Sequence, residues 1–185
     1  MEPNRMLRAI LCPISALLLL TATAPVAAIA ADAVPPTATG SARSAKETDG
    51  KWELPDGTPT YHVAKDGTVD WYTASGFLRY GANCLQCHGP DGLGSSYAPD
   101  LTQSLKAMDF STFEQIVSGG KQTKEGDTDF VMPALGTNKN VMCYIDDIYV
   151  YLKALADGAV GRGRPKGRDD TPQAAQDYDK ACFGG

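Results

Sequence analysis

The chain is poor in the residues that would make several functional classes possible. It has two histidines and five cysteines in 185 residues. That is too few cysteines for a disulfide scaffold of this length, so each must be explained by its own neighbours. Basic residues are outnumbered, 17 Lys and Arg against 22 Asp and Glu, which gives a formal charge of -5 and a pI near 4.9. Unaided binding to nucleic acid or to an anionic membrane surface needs clustered cations, so neither is expected. No apolar run is long enough to span a bilayer, which takes about 20 residues, because Pro13, Ser15 and Pro25 interrupt the N-terminal stretch. No internal repeat is found. What remains is 43% apolar and 21% charged residues with 19 Gly and 12 Pro. That fits one globular domain plus some unstructured sequence, and excludes collagen, coiled coil and full disorder.

The N-terminus has the three parts of a secretory signal: Arg5 and Arg8, an apolar stretch from Ile10 to Leu20, and small residues ending Ala28-Ile29-Ala30. Residues 1–30 are therefore expected to be a cleaved signal peptide directing export, with no membrane insertion afterwards. A lipoprotein attachment through Cys12 fails, since Leu11 is bulky and Cys12 opens the apolar run. Cleavage after Ala30 would leave 155 residues, and losing Glu2, Arg5 and Arg8 takes the charge to -6. The four remaining cysteines, Cys84, Cys87, Cys143 and Cys182, would then meet an oxidising compartment and should be bonded to something.

Residues 31–50, rich in Ala, Pro, Thr, Ser and Gly, read as a flexible leader. Residues 51–70 place Trp52, Tyr61 and Val63 between two turn signals and suggest a short extended arm. Three helices are then expected. The first, over 71–82, has Trp71, Ala74, Leu78 and Ala82 on one stripe. A second is opened by a Ser111/Glu114 capping box and stopped by Gly119-Gly120. The last runs from about Asn140 to Ala156, with Val141, Ile145, Ile148, Leu152 and Leu155 at spacings of three and four and Gly158 as its cap. The fold class is all-α, with a domain over 71–157 and a C-terminal extension over 158–185.

Chemistry concentrates in Cys84-Leu85-Gln86-Cys87-His88, the C-x-x-C-H pattern of covalent haem attachment. Two thiols three residues apart fall on one side of a helical turn and can each form a thioether to a haem vinyl group. The adjacent imidazole is directed at the iron. The alternatives, a redox dithiol or half of a zinc site, suit the surroundings poorly: there is no βαβ pattern, no second C-x-x-C and no His pair.

A closed six-coordinate iron needs a second axial ligand. Met132, in a Pro- and Gly-shaped loop 44 residues beyond His88, is the candidate. Met108 and Met142 lie in helical patterns that favour packing, and a bis-His iron through His62 would require the arm to fold over the haem. Gly89 to Gly94 is glycine-dense, as a backbone running beside a flat ring requires. Pro99 is placed to offer its carbonyl to the second ring nitrogen of His88.

Gly76 with Tyr80, Cys84 to His88, Pro99 with Leu101, Met132-Pro133, and Tyr149 to Lys153 resemble a class I cytochrome c over residues 71–157. The resemblance implies three main helices around one covalent haem c, His and Met ligands, and electron transfer in place of enzyme catalysis. Gly89 to Pro99, Asn140 to Leu152 and Gly158 to Val160 further resemble the cytochrome cL type of bacterial methanol metabolism over roughly 75–168. That likeness implies a periplasmic carrier taking electrons from a pyrroloquinoline-quinone (PQQ)-dependent methanol dehydrogenase and passing them to a downstream cytochrome c. A general electron carrier, or a haem enzyme with an open iron position, are the other readings.

Two features stand outside this scheme. Cys143 and Cys182 are left after the haem takes its pair, and an oxidising compartment favours a disulfide between them. Arg162, Arg164, Lys166 and Arg168 form a basic run that is either a solvated tail or a docking surface.

Overall fold

The computed structural model describes residues 45–184. The expected signal peptide and residues 31–44 of the leader lie outside them. Among the described residues no helix is long and apolar enough to cross a membrane.

Helices predominate. α1 (Trp71–Asn83), α2 (Leu85–His88), α3 (Leu101–Ser104), α4 (Phe110–Gly119), α5 (Lys139–Met142), α6 (Ile145–Ala156) and α7 (Gln173–Phe183) follow in chain order. Aspartates start three of them by accepting a backbone N–H of the first turn: Asp70 from Thr73, Asp100 from Gln103 and Asp109 from Thr112. The cap of α4 is thus Asp109, not the Ser111/Glu114 box. Its exit is Gly120, at φ +76°.

The single long helix expected over 140–156 is two. Asn138 caps α5, and the backbone leaves helical geometry at Tyr144 (φ -132°, ψ 24°) before α6 begins. Beyond α6, Gly158 adopts φ +71° and Ala159 N–H bonds back to Ala154 O, which closes the helix in a left-handed cap.

The core is the seam between α1 and α6. Tyr80, Leu105, Val141, Ile148, Tyr151 and Leu152 are at most 1% exposed. The Tyr151 ring packs edge-on to Phe77 and tilted against Tyr80. The two backbones meet at Gly76, where a Cβ would lie 1.8 Å from Asp147 O. No side chain fits there, so the glycine is what permits the crossing.

The all-α expectation needs amending, because among the described residues seven short strands form three small sheets. β1 (Lys46–Thr48), β2 (Lys51–Glu53) and β3 (Pro59–Thr60) form an antiparallel sheet. Its first turn, Asp49-Gly50, has both residues at positive φ, as a type I′ hairpin demands. The arm therefore begins within the segment assigned to the leader.

β4 (Thr68–Val69) pairs in parallel with β7 (Gly167–Arg168), tying the C-terminal extension to the start of α1. β5 (Lys121–Glu125) and β6 (Thr128–Met132) form an exposed hairpin between α4 and α5. The extension is not a bare tail: α7 packs Ala175 inward, and a disulfide joins Cys182 to Cys143.

Candidate functional site

Cys84 ends α1 and starts α2, so Cys84, Cys87 and His88 lie in consecutive turns of nearly continuous helix. Cys84 N–H donates to Tyr80 O and His88 N–H to Cys84 O. Both thiols are free; Cys84 is half-buried and Cys87 exposed. The His88 side chain is directed inward, the residue being 8% exposed. Its Nδ1 lies 3.1 Å from Pro99 O. A carbonyl there holds the Nδ1–H tautomer and leaves Nε2 with its lone pair free for a metal.

The loop after His88 is pinned from several sides. Gly89 takes φ +70°, and a Cβ on it would fall 2.4 Å from Gly94 O. The Tyr80 hydroxyl donates to Gly89 O at 2.5 Å, Gly94 N–H to His88 O at 2.8 Å and the Ser95 hydroxyl to Cys87 O at 2.5 Å. Asp91 sits at φ +57°, an uncommon conformation for a side chain larger than glycine's. Its carboxylate accepts from Arg162 Nε at 3.3 Å and from Gly163 N–H at 2.8 Å.

This contact also bears on the basic run. Arg162 holds Asp91, Arg164 lies over the Phe77 ring at 5.4 Å, and Arg168 donates to Asp169 O. Part of the run is therefore a strap across α1 and the loop after His88, a role its charge pattern did not reveal.

Met132 is the last residue of β6, half-buried, and packs against the same apolar core as Cys84, Leu101, Met108 and Leu135. Met142 lines a groove with Cys143 and Tyr178, beside α7. The His62 ring stacks on Trp52 at 4.4 Å, and its backbone N–H donates to Asp70. His62 thus belongs to the arm.

The donor set fits a covalently held haem and suits the rivals poorly. Burial, with a smaller contribution from Cys87, pushes the Cys84 thiol up to about 11. A redox dithiol needs the opposite, a thiol that ionises near neutrality. Among the described residues, no three His, Cys, Asp or Glu side chains converge as a metal-ion site. A half-buried thiol beside apolar residues, an exposed thiol one turn away and an imidazole oriented by a carbonyl are the groups a thioether-linked porphyrin needs.

No family model matches the chain. It is 47% identical over 137 residues to cytochrome c-553I of Paracoccus denitrificans, aligning with 74% of this chain and 61% of that protein. The chain therefore spans less than two thirds of that relative's length. It is 37% identical over 106 residues to cytochrome c-555 of Methylococcus capsulatus, covering 57% of this chain and 76% of the other. The crystal structure of the c-type cytochrome XoxG from Methylobacterium extorquens AM1 matches with a TM-score of 0.70 and 52% identity, covering 77% of this chain and 87% of that one.

Proposed function

Because the chain belongs to the c-type cytochromes, which are electron-transfer proteins and not enzymes, we propose that it is a periplasmic one-electron carrier. In this reading it takes electrons from a PQQ-dependent methanol dehydrogenase and hands them to a second cytochrome c on the way to a terminal oxidase. The observation that carries the reading is the Cys84–Cys87–His88 turn with His88 Nδ1 held by Pro99 O. When bound, haem c supplies the one-electron change between ferric and ferrous iron.

The chain's own residues do the rest. Cys84 and Cys87 hold the cofactor covalently. His88, its ring oriented by Pro99 O, would offer Nε2 to the iron. Met132 would offer the iron a second protein ligand, a soft sulfur that favours the reduced state. In this reading α1, α4 and α6 would be the three main class I helices holding one haem, with the arm and extension as additions to that frame. Export by the signal peptide would deliver the thiols to the compartment where the dehydrogenase works.

The methanol assignment draws support from the sequence blocks over 75–168 that resemble the cL type and from the 52% identity to XoxG. A carrier and its donor must part after each turnover, so the interface should be small and dependent on charge. The test is stopped-flow reduction of the oxidised protein by a purified methanol dehydrogenase with methanol. We expect second-order reduction that slows steeply with added salt. No reduction by the dehydrogenase, alongside ready reduction by ascorbate, would leave a carrier for another oxidative pathway.

A further inference from the structure

We infer that Gly120 is a positioning residue for Met132, and that the β5–β6 hairpin acts through it to set where the methionine sulfur sits. The inference rests on Met132 being the iron's second ligand.

Met132 lies on a segment whose backbone is tied to the end of α4, while the Met132 and Leu135 side chains pack against the core. Leu135 N–H donates to Val117 O and Gly136 N–H to Ser118 O, both at 3.0 Å. On the other side, the hairpin register pairs Lys121 with Met132 at its open end. Between these ties Gly120 turns the chain out of α4 at φ +76°. A Cβ on it would stand 2.8 Å from Met132 O, 2.8 Å from Ala134 N and 3.1 Å from Pro133 C. All three are backbone atoms, which cannot swing aside as a flexible side chain can, so an added methyl must displace the Met132–Ala134 segment.

The strands themselves offer little to hold the methionine otherwise. Every residue of β5 is exposed, and β6 is at most half-buried. Register, the Gly120 contact and the two bonds from α4 therefore set the Met132 backbone, beside the packing of Met132 and Leu135 on the core. An iron–thioether bond is weak and sensitive to length, so a displacement of a fraction of an ångström matters.

The hairpin supplies its own control. Gly126, at the tip, also has positive φ (+60°), but a Cβ there would meet nothing within 4 Å. Positive φ strains alanine at both positions, and more so at Gly120, whose ψ of 174° lies in a region essentially limited to glycine. Only at 120 does it press on the ligand segment.

The experiment compares Gly120→Ala, Gly126→Ala and Met132→Ala in the holoprotein. It follows the weak near-infrared methionine-to-iron band, the reduction potential and carbon monoxide binding by the ferrous form. We expect Gly120→Ala to lose most of the band, lower the potential and bind carbon monoxide, approaching Met132→Ala, while Gly126→Ala matches the wild type. Gly120→Ala with an unaltered band and potential overturns the tether even where Met132→Ala shows the methionine to be the ligand. A band that survives Met132→Ala overturns the ligand assignment and the tether with it. If Gly120→Ala yields no holoprotein, Gly136→Ala decides. Its Cβ would stand 3.0 Å from Ser118 O, so a partial loss of the band supports the tether and an unchanged band rejects it.

Discussion

The α-carbon of Gly76 faces the carbonyl of Asp147 so closely that a Cβ would come within 1.8 Å of the oxygen. This contact joins the helix that leads into the Cys84–His88 turn to the helix that carries most of the core. Replacing Gly76 by alanine must push α1 and α6 apart along a seam that includes Tyr80 and Tyr151. Overpacking typically costs about 1–3 kcal/mol, and here the obstruction is backbone on one side and helix on the other. Denaturant unfolding of the holoprotein should show Gly76→Ala losing at least about 3 kcal/mol. A loss below about 0.5 kcal/mol would mean that the helices are not held at this distance.

Asp147 itself makes stability depend on pH. It is 4% exposed, and burial, offset in part by Ser75 and Lys51, raises its carboxyl to about 7. In the unfolded chain it would ionise near 4. Between these values the folded protein keeps a proton that the unfolded chain releases, so stability falls as pH rises from about 4 to about 7. Asp70, 2% exposed and shifted upward by burial, acts in the same direction. The thermal midpoint should therefore be higher at pH 5 than at pH 7.5, and Asp147→Asn should flatten the difference. A midpoint that climbs over this range in the wild type would contradict the assignment.

The Cys143–Cys182 disulfide closes a loop with a sequence separation of 39. In the chain-entropy model a loop of this length contributes about 4 kcal/mol. Cys182→Ser should lower the unfolding free energy by about 2–4 kcal/mol and speed proteolysis within α7, while the visible spectrum stays as in the wild type. Equal stability of wild type and variant would show that α7 is held by packing alone.

The parts of this molecule that repeat or punctuate were legible before any coordinates. Val141 to Leu155 marked the core helices, and Cys84 to His88 marked the turn proposed to hold haem. Pro99 could be named because a metal-bound imidazole needs an acceptor on its other nitrogen and a rigid carbonyl lies eleven residues on. The break at Tyr144 was hidden because apolar spacing continues across it. The Asp49-Gly50 hairpin had a signal, an Asp-Gly pair with Trp52 following, but it lay within a stretch whose composition read as unstructured. The β5–β6 hairpin also had one, Gly126-Asp127 ahead of Phe130, Val131 and Met132. α7 offered only Pro172 before it and Gly184 after it. The grip of Arg162 and Gly163 on Asp91 spans 71 and 72 residues of sequence, and no local pattern encodes such a contact.

The central claim is covalent attachment through Cys84 and Cys87, and the intact mass of the purified protein under denaturing conditions tests it most directly. The wild type should weigh the polypeptide plus one haem, and the Cys84→Ala/Cys87→Ala double variant the bare polypeptide. A wild-type mass equal to the polypeptide alone would contradict the claim.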